Sequence, residues 1–189
     1  MGIEWRLGRL SHRVAAKWGL ALECYRNAAV EYLFGREDMF DEINKSFESI
    51  SRKLFARSLN YCADFKLLRC QLKAGESLDT VVRSALGDEA QIGGSSSATK
   101  EEVIETLNSA LRFKGDEGAH PNLDYLESSQ SQEDFDSVVS SVHKILADSD
   151  LIVSFWLKSG HPFYPVFWDF AFWIEMADDS ILFIASSSD

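Results

Sequence analysis

The sequence predicts an α+β protein, mostly helical in its N-terminal two-thirds and closing with a small antiparallel β-meander at the C-terminus. Three observations carry this. Apolar residues recur at three- and four-residue spacing through most of the chain up to about residue 146. Beyond Leu151 the apolar runs become short, β-branched and aromatic. Turn-forming residues separate those last runs, so helices precede a meander.

The elements follow in order. Residues 3–34 read as a helix through Ile3, Leu7, Leu10, Val14, Trp18, Leu22, Tyr25 and Ala29, with Gly35 as its stop. Residues 37–74 repeat the pattern through Met39, Phe40, Ile43, Phe47, Ile50, Leu54, Leu59, Cys62, Phe65, Leu68 and Leu72, with a bend or break near Ser58–Asn60. Leu78 to Leu86 is a short helix that Ser77 caps and Gly87 closes. Residues 87–98, GDEAQIGGSSSA, are small, polar and aperiodic, and read as a flexible linker. The chain is therefore expected to be a single domain over 1–189 with a possible sub-boundary at 87–98, dividing a helical 1–87 from helices plus sheet in 99–189.

After the linker, Thr99 and Glu102 form a capping-box pattern ahead of Val103, Ile104, Leu107 and Leu111. A loop covers 113–131, and Ser131 and Asp134 announce a helix through Phe135, Val138, Val142, Ile145 and Leu146. Leu151 to Leu157, Val166 to Met176 and Ile181 to Ala185 are the strands. Pro162 and Pro165 stiffen the first connection, and 177–180 forms the second turn. The middle strand carries Trp168, Phe170, Phe172 and Ile174 on one face and Phe167, Asp169, Ala171 and Trp173 on the other. Either helices cover both faces, or one is a patch awaiting a partner.

Composition bounds the function. In 189 residues, 46% are hydrophobic and 26% charged, which excludes wholesale disorder. The net charge of −11 argues against a nucleic-acid binder, whose phosphate contacts need clustered Lys and Arg. The charge is uneven: residues 1–87 sum to +3 and residues 88–189 to −14. Three cysteines, Cys24, Cys62 and Cys70, without a CxxC, read as buried thiols of a reducing compartment. No signal peptide or membrane-spanning run is expected, which leaves the cytoplasm.

Two groups concentrate chemistry. Arg6, Arg9, Arg13 and Lys17 line one side of the first helix. They suit phosphate, lipid headgroups or an acidic partner, or else form a solvated face, or a face that docks on the protein's own acidic half. Residues 112–127 gather Arg112, Lys114, Asp116, Glu117, His120, Asp124 and Glu127. His120 with Asp116 or Asp124 is the start of a hydrolase's base, which makes an enzyme the alternative reading. The spacing matches no metal motif, and neither GxSxG, a Walker loop nor GxGxxG occurs. No catalytic residue, metal or cofactor is therefore assigned. The helical layout resembles HEPN-type ribonucleases, but their Arg-to-His spacing is missing: Arg9–His12 is too close and Arg112–His120 too far.

Phe167-Trp168-Asp169-Phe170-Ala171-Phe172, followed by a hairpin and Leu182-Phe183-Ile184, resembles the C-terminal sheets of some bacterial toxin immunity proteins. The resemblance covers about thirty residues. It implies a small acidic cytoplasmic protein without catalytic motifs that binds a basic toxin, often a nuclease. The expected function is occlusion of such a partner by an acidic surface, which speeds association. Asp116, Glu117, Asp124, Glu127, Asp178 and Asp179 are the candidate carboxylates, with Tyr164 and Trp173 as aromatic anchors. An acidic regulator that mimics nucleic-acid charge is a further alternative. Neither nucleic acid nor membrane is expected as a partner, and no oligomeric state is assigned.

Overall fold

The computed structural model describes residues 38–70, 76–177 and 179–188. The chain forms two compact units, Met1–Phe40 and Asp41–Asp189. Of the first, only residues 38–40 are described, as the opening turn of a helix. The expected helix over 3–34, the basic stripe Arg6–Lys17 and Cys24 lie outside the described residues.

The second unit is organised by a five-stranded antiparallel sheet, not by helices with a small terminal meander. Helix α1 (38–55) leads to β1 (Cys62–Cys70), α2 (Leu78–Leu86), β2 (Gln91–Ser97), α3 (Lys100–Leu111), α4 (Leu123–Leu126) and α5 (Ser129–Ala147). The meander β3 (Leu151–Ser159), β4 (Trp168–Met176) and β5 (Asp179–Ser188) closes the chain. The sheet order is β1-β5-β4-β3-β2, so the two strands that precede the meander flank it on either side. Three of the five strands match the sequence reading, and two overturn it.

The first miss is β1. Leu59, Cys62, Phe65, Leu68 and Leu72 fit a helical spacing, but Ala63, Phe65 and Leu67 also alternate, and burial follows that alternation. Pairing with β5, from Cys62↔Ser188 to Cys70↔Ser180, decides between the two periods. The helix ends at residue 55, at the break expected near Ser58–Asn60. Arg57 and Asn60 take φ of 64° and 43°, which no helix continues through.

The second miss is β2. The segment read as a flexible linker is a strand over Gln91–Ser97, bonded to β3. A linker and an edge strand of this composition look alike, because an edge strand made of glycine and serine is held by backbone bonds and buries little. Gly93 is the extra residue of a β-bulge: Ile92 pairs with Leu157 and Gly94 with Trp156.

Helices cover both faces of the sheet centre. On one face Val81 and Val82 of α2 pack with Cys70, Phe155, Ala171, Trp173, Leu182 and Ile184. Helix α2 thus carries the chain from one edge strand to the other, across the three strands of the meander. On the opposite face Phe47 of α1 stacks on Phe65 at 5.0 Å and meets Phe183 at 5.6 Å. Helix α3 lies along β4 on that face and packs on α5. β5 is the spine, with every residue from Asp179 to Ser187 buried. The capping box of Thr99 and Glu102 and the caps Ser77 and Gly87 form as expected. Helix α5 begins three residues earlier than expected, capped by Ser128 in place of Ser131. Among the described residues no helix is long and apolar enough to cross a membrane.

Candidate functional site

The 112–127 segment is a pinned loop. At Gly115 (φ 71°) a side chain would strike the Ala119 carbonyl, so the chain turns there only because Cβ is absent. The Asp116 N–H donates to Ala119 O at 2.8 Å, and Asp116 Oδ1 accepts from the N–H groups of Gly118 and Ala119 at 2.7 and 2.8 Å. Leu59 and His120 exchange backbone bonds of 3.0 and 2.9 Å. Asn122 N–H reaches Leu54 O at 2.8 Å, tying the loop to the end of α1.

Beneath the loop, Asp134 Oδ2 accepts from Lys53 Nζ at 2.6 Å and from Tyr125 Oη at 2.7 Å, joining α1, α4 and α5. Burial would raise the Asp134 carboxyl. Hydrogen bonds from Lys53, Tyr125 and Gln130, with the Lys53 charge, outweigh it and hold the group below its ordinary value. Burial first, then the Asp134 carboxylate, pushes the Tyr125 hydroxyl upward. The cluster positions the loop and keeps its own polar atoms occupied.

This frame presents part of the expected acidic set. Asp116, Glu117, Asp124 and Glu127 are all exposed. Asp124 faces Arg57 at 4.0 Å, and Glu127 faces Lys114 at 3.3 Å, with every partner open to solvent. Such exposed pairs are weak and exchange readily for an incoming cation. Tyr164, on the loop between β3 and β4, is 78% exposed.

Two of the expected contact residues are buried. Trp173 is 8% exposed, because its face of β4 is covered by α2. Asp179 is 1% exposed and bonds the Arg69 guanidinium across the sheet end. A carboxylate beside a hairpin turn looks solvated in the sequence, but here the hairpin pairs as far as Met176↔Asp179 and draws it into the sheet. Asp178 lies outside the described residues. Asp169 is exposed.

The incipient hydrolase centre is not assembled. His120 Nδ1 lies 2.9 Å from Pro121 O, and Asp116 is occupied by its own turn. Among the described residues no three His, Cys, Asp or Glu side chains are grouped to hold a metal.

One surface feature escaped the sequence reading. Trp156 on β3 is 55% exposed and lies flat across Gly93 and Gly94, where any Cβ would stand 2.1 and 2.8 Å from the indole. Its ring walls a groove of about 500 Å³ on the face that α3 covers, with Ser96, Ser154, Thr106 and Phe172. The signal was the Gly-Gly pair, which a linker explains as well as a close approach does. The chain matches no protein-family model, no curated protein and no solved structure.

Proposed function

We propose that this chain is a binding protein of the immunity or antitoxin type, acting in the cytoplasm by covering a basic face of a protein toxin. The exposed carboxylates Asp116, Glu117, Asp124 and Glu127, held on a loop clamped to α1, are the observation that carries this reading. A pinned acidic loop loses little conformational entropy on binding, and its field steers a cationic partner. The net −14 over residues 88–189 adds to that field. Tyr164 supplies an exposed aromatic surface.

The test is rescue of growth in cells expressing a panel of basic nuclease toxin domains, followed by titration of the rescued pair. Rescue by the parent, lost when Asp116, Glu117, Asp124 and Glu127 become Asn or Gln, supports the reading. Association should weaken with salt. Absence of rescue, or tight binding indifferent to both salt and carboxylate neutralisation, overturns it.

A further inference from the structure

We infer that the outer edge of β2, together with the Trp156 groove, binds an extended basic segment of a partner polypeptide by adding it to the sheet as a strand. The inference goes beyond the acidic loop and rests on that reading only in taking the partner to be a protein.

The edge is built for approach. β2 is the last strand of the sheet, and among the described residues its pairing is with β3. The Ala98 N–H donates to Ile152 O at 3.0 Å, so Ala98 faces β3. In an antiparallel ladder this direction alternates. The N–H and C=O of Ser96 and Gly94 therefore face β3 too, while those of Ser95 and Ser97 face outward. Sheet edges are normally blunted by Lys, Pro or inward-pointing charge. From Gln91 to Ser97 there is no charge and no proline, and Ser95, Ser96 and Ser97 are exposed. The bulge at Gly93 limits the regular edge to its C-terminal half.

Charge selects the occupant. Asp88 and Glu89 stand before β2, and Glu101, Glu102 and Glu105 follow it. Lys100 is the one cation between residues 87 and 111, and its ammonium bonds Ala147 O at 3.1 Å. Antiparallel pairing of two copies would set the Asp88–Glu89 flank of one against the Glu101–Glu105 flank of the other. That repulsion disfavours a second copy and favours a Lys- or Arg-bearing strand. Alternate side chains of such a strand fall on the face that α3 covers, beside Trp156.

The probe is a display library of random decapeptides panned against the intact chain. Enriched peptides should alternate Lys or Arg with β-branched or aromatic residues. Ser95→Pro and Ser97→Pro each remove an outward donor and leave the β3-facing bonds in place, so each should weaken the enriched peptides roughly tenfold. Because a proline variant can perturb the strand, hydrogen exchange on the parent provides an independent readout: bound peptide should slow the Ser95 and Ser97 amides. Neutralising the four loop carboxylates should leave this binding unchanged, which separates failure here from failure of the loop reading. No enrichment, enrichment without positive charge, unprotected Ser95 and Ser97 amides, or folded proline variants that bind like the parent would each overturn the inference. So would dimerisation of the chain through β2.

Discussion

The two edges of the sheet are treated differently. At β1, Asn44 of α1 offers its side-chain amide to the backbone of Leu67, accepting from the N–H at 2.9 Å and donating to the C=O at 3.0 Å. That amide imitates a neighbouring strand. Lys66 and Asp64 add exposed charge along the same strand. At β2, among the described residues, there is neither an amide cap nor a charge, and Gly93 to Ser97 are all Gly or Ser, beside an exposed indole. Closing one edge and leaving the other bare shows that edge protection is applied locally, by side chains at individual positions. The open edge is where the sheet can be extended.

Both edges depend on the shared centre of the sheet. Phe183 is fully buried in β5 between Phe47 and Phe170. Phe183→Ala should cost about 3–5 kcal/mol in denaturant unfolding, from lost transfer energy and the cavity left behind. Both edges should then exchange faster together. A loss below about 1 kcal/mol would mean that β5 is not the spine.

Asn44→Ala attacks one edge alone. It strips two backbone groups of their partner and should cost about 1–3 kcal/mol. Hydrogen exchange should be slow at the Leu67 amide in the parent and fast in the variant, while the Ser95 and Ser97 amides exchange fast in both. Equal protection at Leu67 and Ser95 in the parent would erase the contrast.

Acid should loosen the helix that carries Asn44. The Asp134 carboxyl lies below its ordinary value of 3.8 in the folded chain. Its contribution is complete above that value and is lost as pH falls from it through the lower folded value. Asp134→Asn should therefore lower stability at neutral pH and flatten the pH dependence below about 4. A variant with the parent's acid profile would show that Lys53 and Tyr125 do not act on this group.

The smallest effect belongs to the bare edge. Ser97→Lys should change stability by no more than about 0.5 kcal/mol, since exposed positions without special partners tolerate exchange. It should weaken any strand-adding peptide. A large loss of stability would mean that the Ser97 side chain has a structural role at the edge.

Much of the fold was legible in the residues themselves. Capping chemistry is local, so Ser77, Gly87 and the Thr99–Glu102 pair announced their helix ends. The meander was legible because β-branched and aromatic runs with turn residues between them have few other uses. β1 was not, because Phe65 serves a three-residue and a two-residue period equally well. β2 was not, because its strand character resides in backbone bonds that leave no mark in side-chain polarity. At the candidate site, the loop residues Asp116, Glu117, Asp124 and Glu127 could be named, but the pins that hold them, Leu59 to His120 and Asn122 to Leu54, join positions far apart in the chain.

By itself, then, the sequence determined an acidic α+β chain, the caps of its helices, the aromatic strands of its meander and the position of its carboxylate-rich loop. These depend on neighbours a few residues away, where spacing is sufficient information. Tertiary structure alone decided that 62–70 and 91–97 would be the two edges of one sheet, that Trp173 and Asp179 would be buried, and that Trp156 would lie open across two glycines. Each of those outcomes depends on which strand lies alongside. That is settled by pairing and coverage between distant segments, at β5 for the first strand and at β3 for the second.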